Sequence, residues 1–389
     1  MAQIINKVYE DAVSAQLLPG ISVFAGDKNA SLKEGDDLPF TASTICHVAS
    51  MSKLLTSVAA LQCVEDGTLN LDEDVKRWLP DIGKYGIITG FDDDKNSATF
   101  SPDSTTITLR MLLSHTSGHE YDWLSPLLMK WRASRNEGLW GGATVEDKSV
   151  LPLTYTPGTG FSYGAGHDWA GRAVEVAANR TLEEFMLERI WKPLGIENDA
   201  SFYPATKDAM KDRMATLSSL DDQGQPPAKY SDFDLLRGGT ACLGGGGCFT
   251  SAEAYYKFLS AVLRHDPKLL TPASYQELFR PQLDEKTEQA LNDYLALSPA
   301  HTQFLGMCIP GSIRKTWSFA GLVIKDGQEG RFSPGTIIWG GVPSCQWFID
   351  HEAGTCGVAM CQILPPMHPA ILALHERFQS ELYQNFVNK

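Results

Sequence analysis

The chain has 389 residues, 43% of them hydrophobic and 21% charged, which suits one large catalytic unit or two lobes around a substantial core. Acidic residues outnumber basic ones by 47 to 33, for a formal net charge of −14. With no Lys/Arg cluster and no run near the ~18 apolar residues of a membrane span, neither nucleic acid nor membrane is an expected partner.

The N-terminal stretch predicts an amphipathic helix over about 2–16. It carries Lys7, Glu10 and Asp11 where a secretory signal would be apolar, so a cytoplasmic location is expected. A Pro19-Gly20 break precedes an apolar strand, ISVFAG, and a second short strand is expected around residues 30–45. Leu54, Leu55, Val58, Ala59, Leu61 and Val64 recur at spacings of three and four, predicting a helix from about 50 to 66 that Gly67 ends.

From about 70 to 290 the pattern mixes helices and long loops. Its clearest helices are 168–178, 182–191 and 251–264, the last with Ser251 as N-cap and Glu253 in the first turn. The tail turns β-rich: TWSFAGLVI, GTIIWGG, CQWFID and GVAMCQIL are short runs between turn residues. A helix over about 368–386 closes the chain. Strands at both ends predict one sheet built from 1–70 and 295–389, with a mainly helical lobe, 71–294, between them.

The eight cysteines, Cys46, Cys63, Cys242, Cys248, Cys308, Cys345, Cys356 and Cys361, contain no C-x-x-C pair and read as small buried residues. His115 and His119 are separated by Thr-Ser-Gly, which is turn sequence and not the face of a metal-binding helix. No metal and no cofactor is expected.

The chemistry concentrates in His47-Val48-Ala49-Ser50-Met51-Ser52-Lys53. A serine and a lysine three apart share one helix face. A serine hydroxyl needs a base to become a nucleophile, and a lysine becomes one only when its pKa falls well below ~10.4. Burial beside Leu54 and Leu55 and the positive end of a helix both act in that direction. The Ser50 N–H at that helix end is a candidate oxyanion donor. Ser-x-x-Lys also occurs by chance in many helices.

Two more segments bear on the choice. Tyr163 sits in the glycine-rich turn PGTGFSYGA, as a core aromatic or as a phenol sharing a proton with a nucleophile. Ile337 to Val342 reads as a strand ending in Gly340 and Gly341. Those glycines suit a bulge or edge, or the close approach of a substrate, with the N–H of Val342 as a second oxyanion donor.

Ser50-x-x-Lys53, Tyr163 after a Pro-Gly turn, and a Gly-Gly strand near the C-terminus resemble the three-motif order of the serine β-lactamase and penicillin-binding-protein superfamily. The segments 107–118, 192–196 and 244–247 resemble that family too, so the likeness runs along nearly the whole chain. It implies a β-lactamase/transpeptidase-like α/β fold over 1–389, an antiparallel sheet flanked by helices with the active site between sheet and helical lobe. The family's Tyr-x-Asn is Tyr163-Gly164-Ala165 here, and its Lys-Thr-Gly strand is Trp339-Gly340-Gly341. Both departures resemble the esterase and fungal acyltransferase branch, of the lovastatin acyltransferase type, and so does His167-Asp168-Trp169-Ala170-Gly171.

The resemblance implies an acyl-Ser50 intermediate, with Lys53 and Tyr163 as the base network and Ser50 and Val342 N–H groups as the oxyanion hole. Trp339, Gly340, Gly341, Tyr121 and Trp123 are the expected substrate contacts. The expected partners are a small-molecule ester or thioester donor, with an acyl-carrier protein as a candidate carrier, and a small apolar alcohol or amine acceptor. An esterase or lactone/amide hydrolase using water, a biosynthetic cyclase and a non-catalytic binding module on the same fold are the alternatives. The aromatic-rich stretch 119–150, with Tyr121, Trp123, Leu127, Leu128, Met129, Trp131 and Trp140, reads as helical core or as a lid over an apolar acceptor.

Overall fold

The computed structural model describes residues 9–27, 31–33 and 41–384. Seven strands form the main sheet: β1 (Ser22–Asp27), β2 (Ser31–Lys33), β3 (Lys315–Trp317), β4 (Leu322–Ile324), β5 (Thr336–Gly341), β6 (Cys345–Asp350) and β7 (Thr355–Met360). Their spatial order is β3-β4-β5-β6-β7-β1-β2, and every neighbour is antiparallel. The join between the two ends of the chain is the β1–β7 ladder, registered from Ser22 opposite Met360 to Asp27 opposite Thr355.

Every residue of β5, β6 and β7 is buried, the polar Thr336, Gln346, Asp350 and Thr355 included, so the sheet is covered on both faces. Helices supply the cover, and the architecture is the antiparallel sheet flanked by helices that the resemblance implies.

Three helices frame the site: α1 (Ser52–Glu65), α2 (Gly166–Ala178) and α3 (Ala252–Leu263). Helix α3 starts at Ser251, whose Oγ accepts from the Ala254 N–H at 3.2 Å, and it packs on β1 and β7. Helix α1 is buried from Ser52 to Cys63, polar residues included. Most of its polar side chains find partners inside, Gln62 Oε1 excepted. Thr56 Oγ1 donates to Gly244 O at 2.7 Å, Ser57 Oγ to Phe319 O at 2.7 Å, and Gln62 Nε2 to Leu269 O at 2.9 Å.

Three expectations are corrected. The run 182–191 is not one α-helix. It is helical over Leu182–Met186 and then widens into a π-turn over Leu187–Trp191, where the Arg189 carbonyl accepts from Gln62 Nε2 at 3.1 Å. GVAMCQIL is not one strand: after β7 the chain leaves the sheet, and Ile363–Leu364 pairs in parallel with Ser218–Ser219. A hairpin of Ile87–Asp92 and Ser97–Ser101 stands in the region read as helices and loops. At the termini, residues 9–14 are helical and 15–16 form a turn, and the closing helix spans Pro369–Leu382; residues 2–8 of the first expected helix and 385–386 of the last lie outside the described residues. All eight cysteines are free thiols, and only Cys308 is exposed.

Candidate active site

The nucleophile candidate sits on a tight turn. Strand Ile45–His47 pairs with Phe249–Ser251 and delivers the chain to Ala49–Met51, a single 3-10 turn that opens α1. Ala49 has φ +43°, a conformation that costs a non-glycine residue on the order of 1–3 kcal/mol and persists only where the surroundings enforce it. Here they do. Ser52 Oγ donates to Ala49 O at 2.6 Å and accepts from the Cys248 N–H at 3.0 Å, while Tyr255 OH donates to Met51 O at 2.9 Å.

The end of β5 presses on the same turn. A Cβ on Gly341 would run into Val48 O, and one on Gly340 would sit 2.6 Å from both Cys345 O and the Met367 methyl. These two glycines therefore answer to strand packing, and neither lines the cavity described below. Trp339 does not line it either. Its ring lies 5.2 Å from that of Tyr163 and 4.8 Å, edge-on, from that of Trp317, so it packs behind the phenol. Of the residues expected to contact substrate, Tyr121 and Trp123 are on the cavity wall, and Val342 joins them there.

Ser50, Lys53 and Tyr163 converge. Tyr163 OH donates to Ser50 Oγ at 2.7 Å, and Lys53 Nζ lies 3.3 Å from the same oxygen. Lys53 and Tyr163 are buried, whereas Ser50 is only half-buried, so the serine is the member of the three that a ligand can reach. Burial lowers the Lys53 pKa to about 7, against the opposing pull of Asp168, which makes the amine neutral over much of the physiological range. Burial pushes the Tyr163 phenol the other way, well above its ordinary value, although the bond to Ser50 opposes the rise. That combination suits Lys53 to the part of a base and Tyr163 to that of a proton donor at Ser50 Oγ.

The nearby imidazoles do not compete for that role. His47 donates from Nε2 to Gly246 O at 2.8 Å, and burial lowers its pKa to about 4. His115 and His167 are also driven down by burial. Lys53 Nζ further donates to Gly245 O at 2.7 Å and lies 3.4 Å from Tyr121 OH.

Ser50 opens into a cavity of about 630 Å³, the size of a small-molecule pocket. Its apolar lining includes Tyr121, Trp123, Leu139, Trp140, Phe304, Leu220, Phe233, Leu235 and Leu364 to Pro366; Asp221, Asp222 and Arg237 are its charged residues. The aromatic stretch 119–150 divides between the two readings given for it. Tyr121, Trp123 and Trp140 face the cavity, whereas Leu128 and Trp131 form a small separate core with Ile88 and Leu151. Residues 220–237, Phe304 and 364–366 carried no motif that marked them. Asp168 and Gly245 were visible only as parts of longer resembling segments.

The sequence pattern of the family described as Beta-lactamase matches residues 5–380. The lovastatin esterase of Penicillium rubens is 34% identical over 92% of this chain and 89% of its own length. The monacolin J acid methylbutanoyltransferase of Aspergillus terreus is 32% identical over 98% and 96%. Among solved structures, a mutant simvastatin synthase from Aspergillus terreus superposes with a TM-score of 0.89 at 32% identity, covering 99% of this chain and 95% of that one.

Proposed function

The chain belongs to the beta-lactamase family, and from that membership we propose that it is an acyltransferase working through an acyl-Ser50 intermediate. It is an enzyme of the acyltransferase and esterase branch, acting on a small-molecule acyl donor and a small apolar metabolite as acceptor. One observation carries the residue assignment. The half-buried Ser50 Oγ is held by the Tyr163 hydroxyl at 2.7 Å and the Lys53 amine at 3.3 Å, at the wall of a largely apolar cavity.

The chemistry follows from those positions. Ser50 Oγ attacks the carbonyl carbon of an ester or thioester as its proton passes to the neutral Lys53 amine. The carbonyl oxygen becomes an oxyanion facing the N–H groups of Ser50 and Val342; one such donor is worth about 3 kcal/mol in the transition state. The proton then travels from Lys53 through Tyr163 to the departing thiolate or alkoxide, leaving acyl-Ser50. The second half runs in reverse: an acceptor hydroxyl or amine gives its proton to Lys53, attacks the acyl carbon, and Ser50 recovers its proton.

The esterase reading remains the second one, because a relative 34% identical bears that name and Lys53 activates water as readily as an alcohol. A thioester donor borne by an acyl-carrier protein suits the exposed Leu139 and Phe233 at the cavity mouth. Eight free thiols suit a reducing, cytoplasmic setting. Among the described residues no helix is long and apolar enough to cross a membrane.

Intact-protein mass spectrometry after brief exposure to acyl thioesters and p-nitrophenyl esters tests the assignment. Wild type should gain the acyl mass and Ser50→Ala should not; an adduct that survives the substitution rejects Ser50. Adding an alcohol, an amine or plain buffer then identifies the acceptor that discharges it. Because Lys53 must be neutral, kcat/KM should fall as pH drops below about 7 and level off above it.

A further inference from the structure

Asp168 touches neither Ser50 nor the cavity, yet it closes a ring of hydrogen bonds around the catalytic amine. Lys53 Nζ lies 2.7 Å from Gly245 O and 3.4 Å from Tyr121 OH; Tyr121 OH donates to Asp168 Oδ2 at 3.3 Å; the Gly245 N–H donates to Asp168 Oδ1 at 2.8 Å. Asp168 is fully buried on the first turn of α2. Burial raises the Asp168 pKa, while the Lys53 charge and the hydrogen bonds from Gly245 and Tyr121 oppose that rise; the Gly245 N–H, which can only donate, fixes Oδ1 as an acceptor.

A neutral amine has two N–H donors and one lone pair. Gly245 O can only accept, so it takes one N–H. Tyr121 has its proton committed to Asp168, so its oxygen accepts the second. The lone pair is left facing Ser50 Oγ, where a base must have it. Were Tyr121 to turn its proton toward Lys53, it would occupy that lone pair and disable the base. We propose that Asp168 is a positioning residue: by holding the Tyr121 proton it aims the Lys53 lone pair at Ser50, and it supplies the buried counter-charge to the ammonium formed during the reaction.

The surroundings leave this role to Asp168. The other groups around Lys53 are the phenols of Tyr121 and Tyr163, kept protonated by burial, and the imidazoles of His115 and His167, kept neutral by it. Asp122 is paired with Arg132 at 2.9 Å, and Lys148 is tied to the carbonyls of Trp140, Leu236 and Arg237. The pull of Asp168 on Lys53 opposes the effect of burial, and an opposite charge within ~4–6 Å is typically worth ~1–3 pKa units.

The inference rests on the Ser50–Lys53 reading and is tested on the rate at which a fluorophosphonate labels Ser50 between pH 5 and 9. If wild type does not label, that reading fails and not this one. In Asp168→Asn, the amide oxygen faces the Gly245 N–H and the NH₂ faces Tyr121, which forces the Tyr121 proton toward Lys53. Labelling on the plateau should drop about 100-fold, and its acid limb should move down by about one pH unit. Tyr121→Phe removes the misdirected proton, so adding it to Asp168→Asn should restore part of the rate. By itself, Tyr121→Phe should slow labelling about 10-fold with the acid limb in place, because the Asp168 charge remains. An unmoved acid limb in a folded Asp168→Asn, or losses that multiply in the double variant, would overturn the proposal. If Asp168→Asn does not fold, a Tyr121→Phe protein that labels at the wild-type rate overturns it.

Discussion

The two ends of the cavity are built on opposite principles. At its floor Ser50 stands on the turn that opens α1, backed by the buried Lys53 on α1 and the buried Tyr163 on the turn before α2, with each polar group bonded. At its mouth, Leu139 is 39% and Phe233 44% exposed, and the guanidinium of Arg237 rests 4.4 Å above the Phe233 ring. The segment carrying Phe233 and Arg237 is shaped by local turns, with Asp234 accepting from the N–H groups of Leu236 at 2.9 Å and Gly238 at 2.6 Å, and is tethered through its Leu236 and Arg237 carbonyls to Lys148. Reaction chemistry needs fixed geometry to a fraction of an ångström, whereas ligand choice needs a surface that tolerates change. The floor therefore has nowhere to move, and the mouth has room to vary.

Substitutions can break that contrast or sharpen it. Ser50→Ala should remove turnover by 10³-fold or more, on the scale of a lost nucleophile, with the melting temperature little changed; Lys53→Ala should match it in a steady-state ester assay. Tyr163→Phe keeps the ring against Trp339 but loses the donor to Ser50, and a roughly 10²–10³-fold fall in kcat is expected. Gly341→Ala tests the packing of floor against strand. Its new methyl meets Val48 O, so thermal unfolding should show about 1–3 kcal/mol of destabilisation and kcat should fall about 10²-fold from the displaced turn. Leu139→Ala and Phe233→Ala should do least, raising KM a few-fold and leaving kcat and the acyl-adduct mass unchanged. A large kcat loss from either mouth variant would abolish the distinction.

Tyr163 lies 113 residues from Ser50, and only the motif order of the resemblance joined the two. Ser50 and Lys53 were readable because they are local, three residues apart at the head of one helix. The tail strands were readable for the same reason, each being a short β-rich run between turn residues. What could not be read is long-range. The packing that calls for Gly341 lies about 290 residues earlier, at Val48 and Ala49, whereas the resemblance marked the glycine pair for substrate contact. Asp168 acts on Lys53 through Tyr121 and Gly245, which meet only in the fold. The mouth residues between 220 and 237 have no period because local turns, and not a repeating buried face, set their shape.

The enclosure of α1 has a kinetic consequence. A helix buried from Ser52 to Cys63 has no solvent-facing side from which to fray, so its amide protons can exchange with deuterium only when the surrounding core opens as a cooperative unit. The amides of Leu54 to Cys63 should then be among the slowest in the protein, while those of 221–238 exchange early. Inactivation by heat or denaturant should accordingly track global unfolding, with no stage at which the protein is folded but the serine is displaced.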